Sequence, residues 1–540
     1  MKQDIEFRLG QLVSAGQQQL LGGGLKGLEK ESLRVTGDAR IAASPHPAAL
    51  GSALTHPHIT TDYSEALIEL ITPPCAEPEA TLGYLADLHR YVYRHLGDEL
   101  LWPVSMPCEI SGDDSIPIAR YGSSNIGWMK YVYRLGLAWR YGRAMQAIAG
   151  IHFNYSINEA LWTVWHELQG SPGSLMHFRS EEYLGLIRNV KRYGWIVLYL
   201  FGASPALAKS FFSGKDELGL RFPAFDGTTL YRPYATSLRM SDIGYRNDSQ
   251  SELEISCNSL DQYVRSLAQA VNTHYPPYER IGVKVGGEYR QLSANVLQIS
   301  NEYYSSIRPK QTTGSGERPI AALRRRGIQY VELRSVDLGG THPVGVSLEQ
   351  LRFLELFLLY CFLRESPPVE GAEKADIAAN SFGVACCGRT PRFTLRRGGR
   401  DVLLQDWAGE ILADIAAIAD ILDASRPDRP YRASVDGLLP AVADPEATPS
   451  ARVLREMTER HESFVDYGLR LASTHAREFR GEGLTPERLE EFQRQAAASL
   501  EQQRQMEGSD RIGFDEYLRQ YFAMSLLDDP PQEQRRVGNA

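Results

Sequence analysis

The sequence predicts an α+β protein with a helical C-terminal flank, and three observations support this prediction. Strand-like and helix-like apolar patterns alternate through the first two thirds of the chain. From Ser347 onward strand-like patterns nearly vanish, while helical spacing continues. The length of 540 residues is several times that of a typical domain, so the chain can bury a large core. We therefore expect an α+β catalytic body over residues 1–365 and a mainly helical flank over 366–540 packed on it, with the last dozen residues loose.

Short apolar runs bounded by turn residues predict strands, and longer runs with 3.6-residue spacing predict helices. Strands are predicted at 27–35, 67–72, 150–157 and 329–336. Helices are predicted at 80–96, 127–148, 181–200, 260–271, 347–363, 403–422, 451–472 and 487–505. Ser347 and Gln350 form a capping box at the start of one of them. The segment 427–449 contains five prolines and is expected to be a loop or linker within the helical part.

Composition and charge exclude several classes of protein. Apolar residues make up 43% and charged residues 23%, which excludes collagen-like, low-complexity and broadly disordered chains. With 58 basic and 67 acidic residues the net charge is −9, so nucleic acid is not an expected partner. The longest uncharged stretch, 193–208, is shorter than the roughly 20 apolar residues of a membrane span. The acidic N-terminus lacks an apolar signal segment, so the expected location is the cytoplasm and no membrane partner is expected.

The six cysteines are scattered, without CxxC or Cys/His ligand spacing. This pattern disfavours a disulfide framework and a structural zinc site, and it predicts buried free thiols. The adjacent pair Cys386 and Cys387 could be redox-active, but neighbouring cysteines do not favour disulfide geometry.

Acidic side chains recur on the predicted strands. Period-two alternation places Glu29 and Glu31 on one face, within about 7 Å of each other. Glu65 and Glu69 share a face whether their segment is a strand or a helix, and Asp62 lies just before them. One face of this part of the sheet is therefore expected to be strongly acidic.

Two further strands carry polar side chains on one face. In the strand 150–157, His152, Asn154 and Ser156 alternate with apolar residues. In the strand 329–336, Glu332 and Arg334 lie side by side on one face.

If these strands share a sheet, their polar faces assemble around one cavity. Two like unit charges 4 Å apart repel by about 4 kcal/mol at an effective dielectric constant of 20, so such a cluster needs cations or protons. Oxygen ligands with one imidazole suit Mg²⁺ or Mn²⁺. The alternative is that these acids face solvent, each paired with a lysine or arginine. The candidate metal ligands are Glu29, Glu31, Asp62, Glu69, His152 and Glu332.

The sequence contains no standard nucleotide-binding loop. GxxxxGK[ST] is absent, and the glycine-rich segment 22–27 opens a strand rather than a helix, the wrong order for a dinucleotide fingerprint. A flexible linker is the better interpretation of that segment. If a nucleotide binds, metals on carboxylates and arginines must hold its phosphates, and Arg334 is suited to neutralise a transferring phosphoryl group.

A series of motifs in one order resembles the glutamate–cysteine ligases of proteobacteria. The resemblance is strong from about residue 20 to 365 and weaker beyond. The motifs are GLEKESLR at 27–34, GSALTH at 51–56, ITTDYSEAL at 59–67, WPVSMPC at 102–108, GIHFNY at 150–155, YLFGASP at 199–205, PYATSLRMSD at 233–242, NVLQI at 295–299, IRPK at 307–310 and YVELRS at 330–335.

The resemblance implies a glutamine-synthetase-like fold: a curved antiparallel sheet with ligands on its concave face and helices on its convex side. It also implies a reaction that uses Mg²⁺, or Mn²⁺, and consumes ATP as co-substrate. ATP would phosphorylate the γ-carboxylate of glutamate, and the α-amine of cysteine would displace phosphate, the first step towards glutathione. Glutathione could then feed back on the amino-acid pockets.

The resemblance also implies roles for individual residues. The six candidate metal ligands match the family's, and Arg334 would stabilise phosphoryl transfer. Tyr63 stands where phenylalanine is usual in the family, so its hydroxyl leaves the selectivity for cysteine open. The implied cysteine-binding residues are Tyr63, Tyr133, Leu137, Gln146, Arg239, Tyr245 and Tyr304, with Arg239 and the tyrosine hydroxyls holding the carboxylate.

Three alternative functions would use parts of the same residue pattern. A ligase of the same superfamily could use a different amine acceptor. A catalytically silent metal- or nucleotide-binding regulator would lack ligands or the arginine, yet all six ligands and Arg334 are present. A two-metal hydrolase would need the same acids but neither ATP nor Arg334.

Overall fold

An antiparallel sheet of seven strands lies at the centre of the structure, a computed structural model that describes residues 2–214, 216–244, 253–314 and 316–524. The strands of the chain are β1 (Leu25–Val35), β2 (Ile59–Thr61), β3 (Leu67–Ile71), β4 (Leu100–Leu101), β5 (Ile151–Ser156), β6 (Ala206–Ala208), β7 (Thr229–Tyr231), β8 (Lys284–Val285), β9 (Glu288–Tyr289), β10 (Ile307–Lys310), β11 (Tyr330–Val336), β12 (Thr394–Arg397) and β13 (Arg400–Leu403). In the central sheet the order is β10-β11-β5-β1-β3-β2, and β4 pairs with the end of β1. The remaining strands of the described residues form three two-stranded antiparallel sheets.

Helices pack around this sheet and predominate in the described part of the C-terminal third. In chain order they are Lys2–Ser14, Pro78–Tyr93, Asn125–Tyr141, Arg143–Gln146, Glu159–Gln169, Leu175–Tyr193, Trp195–Phe201, Asp216–Gly219, Leu260–Asn272, Pro276–Ile281, Pro319–Arg326, Leu348–Leu363, Ala372–Cys387, Leu404–Leu422, Pro430–Asp436, Leu439–Ala443, Pro449–Arg460, Phe464–Gly481, Pro486–Ser509 and Phe514–Ala523. None of the helices in the described residues is long and apolar enough to cross a membrane.

The four predicted strands are confirmed as β1, β3, β5 and β11. The prediction missed β2, β4 and β10, which span only two to four residues and so carry little alternation. The predicted helix 127–148 is two helices in the structure, because Gly142 has a φ of +83° between them. The predicted helix 181–200 likewise consists of Leu175–Tyr193 and Trp195–Phe201, which meet at Gly194.

The prediction of a loop or linker at 427–449 was wrong. This segment contains the helices Pro430–Asp436 and Leu439–Ala443. Proline stabilises the first turn of a helix, where its missing N–H has no partner to lose, so these prolines begin helices instead of excluding them. The segment is also anchored, because the buried hydroxyl of Tyr431 donates a 2.7 Å hydrogen bond to Glu355.

One face of the central sheet is covered by helices. The helix Leu348–Leu363 is mostly apolar, and every residue from Phe353 to Leu363 is buried, as expected of a core helix. It supplies Glu355, whose carboxylate lies 2.6 Å from the ammonium of Lys26 on β1, with both side chains buried. Lys30, on the same face of β1, contacts His89 of the helix Pro78–Tyr93 at 2.8 Å. The even-numbered side chains of β1 thus point into the core, which leaves Glu29 and Glu31 for the opposite face.

The largest apolar core contains residues from both parts of the chain, from Ile5 to Phe492. Flank and body meet directly, since the ring of Trp102 packs on Gly468 and the ring of His475 contacts the carbonyl of Gly340 at 2.8 Å. The division at residue 365 therefore stays a prediction. The last dozen residues, expected to be loose, lie outside the described residues.

Candidate active site

A cavity of about 320 Å³ opens on the face of the sheet opposite the covering helices. It is lined by all of the predicted metal ligands and by the predicted catalytic arginine: Glu29, Glu31, Asp62, Glu69, His152, Glu332 and Arg334. The expectation that these strands share a sheet and a polar face agrees with this geometry. The alternative, in which the acids are spread over a solvated surface, does not.

Strand register explains how the acidic side chains meet. Glu31 on β1 pairs directly with Glu69 on β3, and Glu29 pairs with His152 on β5. Strand β11 pairs with the other side of β5 and brings Glu332 alongside. Side chains of directly paired residues lie on the same face about 5 Å apart, so three pairings concentrate five ligand groups.

His152 lies at the centre of this cluster. Its Nδ1 is 3.0 Å from Oε2 of Glu29 and 3.9 Å from Oε1 of Glu332, and its Nε2 is 3.5 Å from Oε1 of Glu31. The ring thereby belongs to two groups of metal-ligand type, Glu29–His152–Glu332 and Glu31–Glu69–His152, with ligand atoms within 4.8 Å of one another in each group. Each group offers the oxygen-rich set that Mg²⁺ and Mn²⁺ prefer.

The residues present fit divalent cations. Nε2 of His152 is buried and has no hydrogen-bond partner among the described residues. A buried polar atom without a partner is uncommon and indicates an additional group at that position. A lone pair on this nitrogen, beside the carboxylates of Glu31 and Glu69, is suited to a metal ion.

The Glu31–Glu69 side of the cavity carries an excess of negative charge. Burial raises the pKa of Glu69 well above its usual value, and the charges of Glu29 and Asp62 raise it further. Burial also raises the pKa of Glu31, with Asp62 adding to the effect against the charge of His152. Bound cations would therefore favour the ionised form of both carboxylates.

The Glu332 side of the cavity is neutralised by basic groups. Burial alone would raise the pKa of Glu332, but the charges of Lys310 and Arg334 hold it well below its usual value. Lys310 lies 3.1 Å and Arg334 3.3 Å from this carboxylate. The cavity thus has an acidic side, around Glu31 and Glu69, and a side where the carboxylate of Glu332 is paired with basic groups.

We expect the affinity for Mn²⁺ to fall as the pH is lowered, beginning above the usual titration range of carboxylates. The raised pKa values of Glu31 and Glu69 mean that both groups take up protons at a higher pH than free glutamate, and each proton must leave before a cation binds. Mn²⁺ titration followed by electron paramagnetic resonance at pH 5.5, 6.5 and 7.5 measures this directly. An affinity that is constant across this range would contradict the assignment of these two ligands.

Sequence comparison identifies the family. The glutamate–cysteine ligase family model matches residues 9–384, which is most of the chain. The chain belongs to the glutamate–cysteine ligase family. It is 49% identical to a glutamate–cysteine ligase of Pseudomonas paraeruginosa over 96% of this chain and 98% of that protein. It is 47% identical to one of Alcanivorax borkumensis over 96% and 99%. The family resemblance of the motifs is confirmed.

Solved structures of similar proteins confirm the fold. Glutamate–cysteine ligase of Francisella tularensis in complex with AMP superposes with a TM-score of 0.86 at 35% identity, covering 93% of this chain and 97% of that one. A bifunctional glutathione synthetase of Pasteurella multocida superposes with a TM-score of 0.68 at 28% identity, covering 87% of this chain and 55% of that one. The α+β architecture with an antiparallel sheet is therefore shared with glutamate–cysteine ligases.

Most of the residues predicted to bind the acceptor amino acid line the same cavity. They are Tyr63, Tyr133, Leu137, Gln146 and Tyr304. The side-chain amide of Gln146 donates a 3.0 Å hydrogen bond to the hydroxyl of Tyr304. The hydroxyl of Tyr63 is buried without a hydrogen-bond partner among the described residues. Their role in binding cysteine stays a prediction.

Two further residues, Tyr245 and Arg239, are predicted to bind the acceptor amino acid. Tyr245 lies outside the described residues. Arg239 is fully buried behind the cavity, where its guanidinium donates a 2.7 Å hydrogen bond to the main-chain carbonyl of Arg334. Arg239 therefore contacts the main chain of Arg334, the predicted catalytic arginine.

The sequence interpretation missed four basic residues of the cavity, Lys130, Arg134, Arg308 and Lys310. Arg308 and Lys310 alternate along β10, and Arg308 pairs directly with Glu332. Lys130 and Arg134 are spaced i, i+4 on the helix Asn125–Tyr141 and both contact the ring of Tyr121. The i, i+2 spacing of Arg308 and Lys310 and the i, i+4 spacing of Lys130 and Arg134 are visible in the sequence. The four residues of β10 are too few to show the alternation that predicts a strand. These cations are suited to the phosphates of a nucleotide.

All six cysteines are free thiols, as predicted. Burial raises the pKa of Cys386 to about 12, although Arg232 lies 2.7 Å from its sulfur. Burial also raises the pKa of Cys387, and because the thiolate is the reactive form, these shifts disfavour a redox role for the pair.

Proposed function

We propose that this protein joins the γ-carboxylate of glutamate to the α-amine of cysteine at the expense of ATP, through a γ-glutamyl phosphate, as the first step of glutathione synthesis. One observation carries the proposal. His152 belongs to two carboxylate groups suited to metals, and Nη1 of Arg334 lies 3.3 Å from its Nδ1. Cations and an arginine directed at one point are the arrangement that phosphoryl transfer requires.

The chemistry follows from the two halves of the cavity. When bound, Mg²⁺ ions neutralise phosphate oxygens and orient the transferred group. Arg308 and Lys310 add positive charge on the β10 side, next to Arg334. Arg334 then stabilises the charge that develops as the phosphoryl group passes to the glutamate carboxylate. Phosphorylation gives that carboxylate a leaving group, which an amine can displace.

The acceptor amine is held on the other wall of the cavity. Tyr133 and Leu137 lie one turn apart on the helix Asn125–Tyr141, with Gln146 and Tyr304 beside them. Tyrosine hydroxyls and an amide are suited to a carboxylate and an amine, and Leu137 gives a small apolar surface to the acceptor side chain. This wall supports cysteine as the acceptor.

The comparisons support ATP as the nucleotide substrate. The Francisella tularensis relative was crystallised with AMP, and the basic residues of β10 are suited to the phosphates of ATP. Glutathione contains both amino acids that the cavity would hold, so product feedback is part of the proposal. We also propose a cytoplasmic location, because ATP is made available there.

The function is tested by ADP release from the purified protein with Mg²⁺, ATP and glutamate. We expect release to depend strongly on cysteine, since without an amine to displace phosphate the acyl phosphate stays in the site and turnover stops. Chromatography of the product should show γ-glutamylcysteine. Absence of ADP with every acceptor would contradict the proposal.

A ligase with a different amine acceptor is the second candidate, and the buried hydroxyl of Tyr63 favours it. A site with an unpartnered hydroxyl can select an acceptor that hydrogen-bonds to it. The same assay with serine, alanine and 2-aminobutyrate distinguishes the two candidates. The matched variant is Tyr63→Phe, which removes only this hydroxyl. Faster release with serine than with cysteine, lost in Tyr63→Phe, would select the second candidate.

A further inference from the structure

Arg334 lies in an irregular part of its strand. Strand β11 pairs with β5 at Leu333 opposite Phe153 and again at Val336 opposite Ile151, three steps along one strand for two along the other. This is a β-bulge, with one extra residue on β11. Bulges interrupt the ladder of hydrogen bonds and change the direction of a side chain, and they are frequent beside active sites. The orientation of Arg334 therefore depends on whatever fixes the bulge.

The side chain of Arg239 bonds to the backbone of this bulge. The amide of Arg334 donates to the carbonyl of Ser306 at 2.7 Å, and the carbonyl of Arg334 accepts from Nη2 of Arg239 at 2.7 Å. The guanidinium lies directly on Gly150, where a Cβ atom would come within 2.1 Å of Nη2. The guanidinium of Arg239 thus donates to the carbonyl of Arg334 in place of the strand partner that is missing at the bulge.

Asp337 in turn fixes Arg239. Its carboxylate lies 3.7 Å from Nη1 of Arg239, and both side chains are fully buried. The same carboxylate accepts hydrogen bonds from the hydroxyls of Ser204 at 2.6 Å and Ser237 at 2.9 Å, and from the amide of Ala203 at 3.0 Å. With three donors and a cation around it, Asp337 is a rigid anchor.

We propose that Asp337 is a positioning residue that acts through Arg239 to hold Arg334 in place for phosphoryl transfer. We call these two residues the Asp337–Arg239 clamp. The inference rests on the proposed function, because it assigns the clamp a part in that reaction. Asp337 lies outside the lining of the cavity and acts on the reacting groups only through the backbone of Arg334.

Two physical arguments support a positioning role. A buried ion pair contributes little net stability compared with apolar residues of the same volume, so stability alone does not explain the clamp. A displacement of about 1 Å at a reacting group can cost about 100-fold in rate. A bulge whose free carbonyl is fixed by a buried guanidinium keeps such displacement small.

The test is a kinetic comparison of Asp337→Asn with the wild-type protein. The substitution keeps the size of the side chain but removes its charge. We expect kcat to fall about 10- to 100-fold, the range found when a residue that orients an active-site group is replaced, with KM for ATP within about twofold. Ligase activity of the wild-type protein in the same assay shows separately whether the proposed function holds.

A double variant decides whether the effect passes through Arg334. If it does, Asp337→Asn should cost less than about twofold in an Arg334→Ala background, because no guanidinium remains to be positioned. An equal loss of kcat from Asp337→Asn in the wild-type and Arg334→Ala backgrounds would show that Asp337 supports the fold generally. That result would overturn the proposal. So would a wild-type kcat in Asp337→Asn.

Two further variants keep the test decisive. If Asp337→Asn does not fold, Ser204→Ala removes the 2.6 Å hydrogen bond to the carboxylate and should lower kcat in the same Arg334-dependent way. The matched control is Glu355→Gln, which neutralises another buried carboxylate on the opposite face of the sheet. It should lower the thermal unfolding midpoint but leave kcat unchanged. A loss of kcat in the control equal to that in Asp337→Asn would overturn the proposal.

Discussion

Replacing Arg334 with alanine is expected to lower kcat by about 10³-fold or more, the range found when an arginine that stabilises phosphoryl transfer is removed. KM for glutamate should change far less. The charge of Arg334 is balanced in the resting site by Glu332 at 3.3 Å, so it matters most when negative charge develops on the transferred group. Steady-state kinetics with varied glutamate and saturating ATP and cysteine separates kcat from KM.

Two controls sharpen this prediction. Arg334→Lys keeps the charge but loses the planar fork, so an intermediate kcat is expected. Arg326→Ala removes an exposed arginine that pairs with Glu317 on the surface and should behave as the wild type. Equal losses of kcat and of glutamate affinity in Arg334→Ala would instead assign Arg334 to ground-state binding.

The metal-ligand cluster was predictable because strand geometry is local. In a strand, side chains alternate between faces whatever the rest of the chain does, so Glu29 with Glu31, and Glu332 with Arg334, could be assigned to shared faces from the sequence. Hydrophobic alternation also located His152 on a polar face. The family resemblance added the order of the motifs, and the comparisons confirm that resemblance.

Other features could not be predicted because they depend on pairing between distant segments. The position of Arg308 opposite Glu332 follows from β10 joining the edge of the sheet, and nothing within its four residues indicates that partner. The bulge at Arg334 appears only when β11 is paired with β5. The hydrogen bond from Arg239 to the carbonyl of Arg334 likewise joins two residues that are 95 positions apart in the chain. Local sequence predicts which side chains share a face of a strand, whereas the register between neighbouring strands depends on the whole fold.

His152→Ala is expected to weaken both metal sites, by more than about 100-fold in Mn²⁺ affinity, since even residues that only orient a ligand cost 10- to 100-fold. The ring lies between the Glu29–His152–Glu332 and Glu31–Glu69–His152 groups, so a single substitution removes a ligand from one group and the ring that orients the carboxylates of the other. It also leaves Glu31 and Glu69, which are already difficult to ionise, without the imidazole beside them. Ligase activity should fall with metal binding.

The stoichiometry of bound Mn²⁺ tests whether both groups depend on His152. Glu69→Gln and Glu332→Gln each alter one of the two groups, so each variant should retain one Mn²⁺ ion, against the two expected for the wild type. His152→Ala should retain none at the same free concentration. Ser156→Ala is the matched control, because Ser156 lies on the same face of β5 but outside the lining of the cavity and outside both groups, so it should bind as many Mn²⁺ ions as the wild type. If His152→Ala lost only one Mn²⁺, the ring would serve a single site, and the other group would have to bind through its carboxylates alone.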